Sequence, residues 1–190
     1  MTVTATATAT NKTTAAKRKN PVRRRVLAGL AAFAVLLVGY CVYAIAHTTV
    51  LHTEIEIDAT PEQVWQVLAD RDAYPDWNPF IVSSTGELKV GNTITNVLRD
   101  TNGKDMTFSP KLLAVEPGRE LRWIGKIGFG GIFDGEHSYR IEPLKGGRSR
   151  LIQEEKFNGI AVPFTVGMLN DTIKPQFNAM NEALAKRAAN

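Results

Sequence analysis

Cysteine is nearly absent from this sequence. The one thiol, Cys41, lies inside an apolar run, and residues 47–190 hold none, so no disulfide, thiolate nucleophile or cysteine-based zinc cluster can form there. Histidine is almost as scarce. His47, His52 and His137 are the three in the chain, and none has a histidine or cysteine partner three or four residues away, so no metal site is expected. The patterns G-x-S-x-G and H-E-x-x-H are also missing, which leaves the common hydrolase mechanisms unsupported. Gly125, Gly128, Gly130 and Gly131 form a glycine-rich stretch, but it lacks the lysine and the strand-to-helix setting of a phosphate loop; bends in a curved sheet account for it, and no nucleotide or other cofactor is expected.

Acidic residues are missing from one end of the chain. Residues 1–46 contain no Asp or Glu, whereas seven of the 23 Lys and Arg fall in residues 1–25, which leaves 16 basic against 19 acidic side chains beyond them and a net charge near −3 there. The formal charge of +4 is therefore a property of the tail. No basic stripe interleaved with aromatics remains, so no nucleic-acid partner is expected; the tail charges suit an anionic lipid surface. Residues 2–16, a Thr/Ala alternation with little else, are too polar to bury a core and read as disordered.

Val26–Ala46 runs for twenty-one residues without a charge. At ~1.5 Å per residue that length crosses a ~30 Å hydrocarbon core. Ala44-Ile45-Ala46 has the small-x-small form of a signal-peptidase site, and Arg23-Arg24-Arg25 loosely fits a twin-arginine signal, but the run exceeds the ~7–15 residues of a signal core, which favours a retained anchor. With all basic residues on its N-terminal side, the positive-inside rule predicts a cytoplasmic tail (1–25), a transmembrane helix (26–46), a short linker (47–50) and an extracytoplasmic domain (51–190), hence a single-pass protein of the cell membrane.

The domain is organised around Asp58–Pro79. Thr60, Pro61 and Gln63 stand as a capping hydroxyl, a first-turn proline and a capping-box partner, and Val64, Trp65, Leu68 and Ala69 recur at helical spacing. Pro75 and Pro79 then end the pattern, with Trp77 held between them. Leu51–Asp58 alternates apolar and charged residues, as a half-buried strand does. Further strands are expected at Phe80–Gly86, Asn92–Arg99, Met106–Glu116 (with Pro110 at a bulge or edge), Glu120–Ile127, Phe133–Pro143 and Arg148–Phe157, with turns at Asn102-Gly103 and Pro117-Gly118. Val166, Leu169, Ile173, Phe177, Met180 and Leu184 mark one face of a long final helix in which Pro175 predicts a kink.

These features together, most specifically Ala59–Trp65, Tyr74–Pro79 and Gly135–Gly159, make Leu51–Arg187 resemble the SRPBCC superfamily of START-like, birch-pollen-allergen-like helix-grip domains, in its polyketide cyclase/dehydrase and lipid transport branch. The resemblance implies an α+β fold, a curved antiparallel sheet of about seven strands around the C-terminal helix, with an apolar cavity between them. The superfamily includes carriers, enzymes and receptors, so the resemblance alone names no reaction.

Two candidate groups remain inside such a cavity. His137 and Tyr139 share one face of their strand, and Gln153 and Glu155 one face of theirs; they either satisfy one another, orient a ligand, or act as a proton-transfer pair. Trp77, Phe108, Trp123, Phe133, Phe164 and Met168 are the apolar candidates for its wall, although such side chains are also ordinary core. A Lys145–Gly147 turn sets Leu144 opposite Arg148 and, counting outward, His137 opposite Glu155. Two functions follow: a membrane-anchored holder of a lipid, isoprenoid or aromatic polyketide-like molecule, which is favoured, or a cyclase/dehydratase using His137 and Glu155.

Overall fold

A computed structural model describes residues 21–190; the Thr/Ala tail lies outside the described residues. Pro21–Ala46 is a single helix, α1, long and apolar enough to cross a membrane. Its residues from Tyr40 onward belong to the same compact unit as the rest of the chain, and that unit is described below.

β1 (Thr49–Ile57) begins inside the stretch expected to be a linker, because the final strand is long enough to pair with it as far back as Thr49. Helix α2 (Pro61–Ala69) starts on the expected capping box: Thr60 Oγ1 accepts from the Gln63 amide at 3.3 Å and Gln63 Oε1 accepts from the Thr60 amide at 2.8 Å. Val64 and Leu68 on its inner face are fully buried. A short helix, α3 (Tyr74–Trp77), follows, tied back by the Tyr74 hydroxyl, which donates to the Leu68 carbonyl at 2.7 Å.

Eight strands complete the domain. β2 (Ile81–Thr85), β3 (Thr95–Arg99) and β4 (Asp105–Phe108) form one antiparallel sheet. β5 (Lys111–Glu116), β6 (Glu120–Ile127), β7 (Phe133–Leu144) and β8 (Arg148–Asn158) join β1 in a second, in the order β1-β8-β7-β6-β5. The expected single strand Met106–Glu116 is therefore two strands in two different sheets. Pro110 has no N–H for a ladder, so the chain leaves one sheet there and enters the other. The corner is closed by bonds from the Ile94 amide to the Pro110 carbonyl at 3.0 Å and from the Leu112 amide to the Asn92 carbonyl at 2.8 Å.

The β7–β8 hairpin has the expected register. Gly146 and Gly147 take φ of 79° and 72°, the left-handed values a tight turn needs, and Leu144 pairs with Arg148, Ile141 with Leu151, Tyr139 with Gln153 and His137 with Glu155.

The C-terminal helix differs from expectation at its proline. After α4 (Val166–Met168), Leu169–Ile173 forms a π-helical turn, and α5 (Lys174–Ala188) restarts with Pro175 in its first turn. The missing amide thus falls where a helix has a spare donor position, and the wider turn absorbs the ring. Leu169, Phe177, Met180 and Leu184 are fully buried, as the stripe predicts, while Val166 is exposed. Two polar residues off that stripe are buried as well: Gln176 donates to the Arg99 carbonyl at 2.8 Å and Asn181 to Thr53 Oγ1 at 2.9 Å, which fastens the helix to both sheets.

Phe177 sits where these layers meet, its ring 5.6 Å from that of Phe80 and 4.9 Å from His137. Losing such a ring costs about 3–5 kcal/mol, and an unpaired buried charge adds several more, a total comparable with the ~5–15 kcal/mol stability of a typical domain. Phe177→Asp is expected to abolish cooperative unfolding in circular dichroism; near-native melting would show that the helix is not gripped at this position.

Candidate ligand cavity

A cavity of about 570 Å³ lies between the two sheets and the start of the C-terminal helix. Its origin is the pleat of the large sheet. Trp123 on β6, His137 on β7 and Glu155 on β8 are consecutive cross-strand partners, so they form a row on one face, and Leu51 on β1 continues it. Glycine occurs one row toward the β6–β7 loop, at Gly125 and Gly135. A side chain at Gly135 would place its Cβ 2.6 Å from Glu155 Oε1, so the bare backbone there lets the carboxylate fold across it. The small sheet supplies Leu98, Met106 and Phe108, and Leu169 and Ile173 close the side formed by the helix.

The polar members of the wall are already engaged. His137 Nδ1 is 3.3 Å from Glu155 Oε2, and its Nε2 is 3.0 Å from the amide nitrogen of Gln153. That same amide nitrogen donates to the Tyr139 hydroxyl at 3.2 Å, which in turn donates to Met180 Sδ at 3.2 Å. In this amide orientation Gln153 Oε1 is buried without a partner, and the amide nitrogen sets the directions around the ring. A Gln153 N–H facing Nε2 requires Nε2 to accept, which leaves the ring proton on Nδ1, where it is donated to Glu155. Burial, with smaller contributions from Tyr74 and the Glu155 carboxylate, pushes the Tyr139 phenol well above its ordinary value, so it remains a donor. The imidazole is further clamped by stacking on Trp123, with centroids 4.9 Å apart at 21°. His137 is 3% exposed and the Glu155 side chain 18%, so the carboxylate is the more open of the pair.

Phe108, Trp123, Phe133, His137, Glu155 and Met168 all line the cavity, as the sequence suggests. Four other candidates do not. Tyr139 and Gln153 lie one row deeper, fully buried behind the wall, and act on the cavity only through His137. Trp77 packs edge-on against Tyr74 at 5.2 Å and belongs to the margin of the core. Phe164 is 80% exposed, packs its ring against Tyr40 and is not part of the cavity wall. Lining residues that the sequence did not suggest include Leu98, Met106, Leu169 and Ile173. Leu98 and Met106 are direct partners across the β3–β4 hairpin and so share a face; a two-residue Asn102-Gly103 turn would have set Leu98 opposite Thr107 instead. Among the described residues, no group of three or more His, Cys, Asp or Glu is placed to hold a metal ion.

The model of the family described as "Polyketide cyclase / dehydrase and lipid transport" matches residues 48–189. The chain belongs to this family. Solved structures of low sequence identity share the fold of this polyketide cyclase/dehydrase and lipid transport domain. The Zhui aromatase/cyclase from Streptomyces sp. R1128 is 18% identical, with 75% of this chain and 94% of that one covered at a TM-score of 0.61. The di-domain aromatase/cyclase StfQ of the steffimycin biosynthetic pathway is 14% identical over 75% of this chain and 51% of its own, at 0.60. Ara h 8.0201 is 15% identical over 75% and 98%, at 0.56. At these identities the likeness shows the fold and nothing finer. No curated protein matches the chain.

Proposed function

We propose that this domain is a membrane-anchored, non-catalytic holder of a hydrophobic small molecule, a lipid, an isoprenoid or an aromatic polyketide-like compound. The observation that carries this reading is the state of His137: both ring nitrogens are bonded within the wall, to Glu155 and to Gln153, so neither is free to exchange a proton with a bound molecule. A volume of about 570 Å³ falls inside the ~300–1,000 Å³ range of small-molecule sites. Apolar lining favours a ligand that water holds poorly, and the polar row offers orientation at one edge.

A cyclase/dehydratase reading has one specific observation in its favour. Glu155 keeps part of its carboxylate open to the cavity beside His137, the arrangement a proton-transfer pair needs. It becomes the better reading if Gln153 releases Nε2 when a ligand binds.

Anchoring places the ligand site at the membrane, with residues 1–25 on the cytoplasmic side and the domain outside. Native mass spectrometry of the full chain, extracted in mild detergent, is expected to show a discrete apolar molecule bound one to one. A chain recovered empty that chemically converts an added aromatic polyketide would contradict the holder. For the topology, an alkaline phosphatase fused after Asn190 should be active; an inactive phosphatase together with a fluorescent C-terminal green fluorescent protein fusion would place the domain in the cytoplasm.

A further inference from the structure

Two of the segments that border the open side of the cavity have no charged residue. Ile127–Phe133 joins β6 to β7, and Phe157–Asn170 runs from the end of β8 into the C-terminal helix; Lys126, Asp134, Lys156 and Asp171 bracket them. On these segments Phe129 is 84% exposed and Phe164 80%, with Ile127, Ile132, Val166 and Met168 also open to the outside. Large apolar side chains gathered in this way mark a surface that is normally covered. The segments are joined to each other: the Ile160 and Ala161 amides donate to the Gly131 and Ile132 carbonyls, both at 3.0 Å. A side chain at Gly159 would drive its Cβ to 2.3 Å from the Ile132 carbonyl oxygen, so this approach depends on glycine.

From these residues we infer that the rim of the cavity mouth is seated in the lipid leaflet from which α1 emerges, and that a bilayer-dissolved, single-chain or isoprenoid-like amphiphile enters directly from the membrane. This rests on the membrane-anchored holder reading above. Three observations select lipid as the occupant. The Tyr40 hydroxyl of α1 donates to the Ile160 carbonyl at 2.5 Å, and its ring lies 5.6 Å from that of Phe164. Ala44, one turn further along, is fully buried. The mouth is thus fastened to the apolar helix itself, six residues before its end.

Length makes that position decisive. If the hydrocarbon began after Arg25 and ended before Tyr40, fourteen residues would span only ~21 Å, too short for a ~30 Å core. Continuing to Ala46 gives ~31 Å. Tyr40 therefore lies about 9 Å inside the helix end, and whatever touches it, Ile160 and Phe164 included, sits at the depth of the leaflet. The opposite pole of the domain has the reverse character. There Arg148 pairs with Glu56 at 2.9 Å and Asp58 at 2.7 Å, and Arg150 with Glu56 at 3.2 Å, around the β7–β8 turn that β7 sets about 40 Å from Phe133.

The test uses the full chain with Cys41→Ser, carrying either Phe129→Cys or Lys145→Cys, labelled with an environment-sensitive nitrobenzoxadiazole dye. Each protein is reconstituted in vesicles of phosphatidylcholine and phosphatidylglycerol. Both altered positions are exposed, so native circular dichroism and melting are expected. The dye at position 129 should emit at shorter wavelength than at 145 and be quenched at least threefold more by acyl-chain nitroxide lipids. Equal, water-like emission at the two positions overturns the inference. A blue shift that nitroxide lipids do not quench and that fades on dilution also overturns it, and assigns the rim to a second copy of the chain. Lipid quenching at 129 in a chain whose cavity is empty by mass spectrometry upholds the docking and rejects the holder reading. A copurified ligand with a water-exposed dye at 129 does the opposite.

Discussion

The register of β7 against β8 is the constraint on which the cavity depends. Because side chains alternate faces with a period of two, a slip of one residue would carry His137 and Tyr139 to one side of the sheet and Glu155 and Gln153 to the other. Two left-handed glycines at the turn fix the count, and eleven strand pairings carry it the length of the hairpin. From that single alignment follow the Trp123–His137–Glu155 row, the second row that backs it, and the packing of Phe177 against the imidazole. The polar network is a consequence of pairing, not a separate construction.

Much of this was legible in the sequence. The capping box, the strand alternation and the paired glycines are local signals, and each produced the element it indicated. What failed was long-range. Apolar positions at 106, 108, 112 and 114 keep a period of two straight through Pro110, so periodicity gave no sign that the chain changes sheets there. Gln176 and Asn181 lie off the apolar stripe, yet each is buried against a partner that only the fold supplies, the Arg99 carbonyl and Thr53. Pro175 predicted a distortion correctly in kind, but whether a helix answers with a bend or a π turn depends on its packing.

The site was legible in its polar half and less so in its apolar half. His137 and Glu155 follow from register alone, whereas Tyr139 and Gln153 share their face and still lie behind the wall, because sheet curvature and the gripping helix decide which rows of a face reach open space. Phe164 shows a different limit. An aromatic in an uncharged stretch signals burial in something, and the sequence does not say whether that is core, ligand or lipid. Its exposure beside Tyr40 excludes the core.

The Gln153 amide decides what chemistry the wall can perform, since it determines whether His137 Nε2 is an acceptor held within the protein or a proton donor. Histidine-selective nitrogen-15 NMR of the full chain measures this directly. The account predicts a His137 ring protonated at Nδ1 and bare at Nε2, unchanged when an apolar ligand fills the cavity. A ring protonated at Nε2, or one that changes its protonated nitrogen on ligand binding, would contradict it and return His137 and Glu155 to the role of a proton-transfer pair.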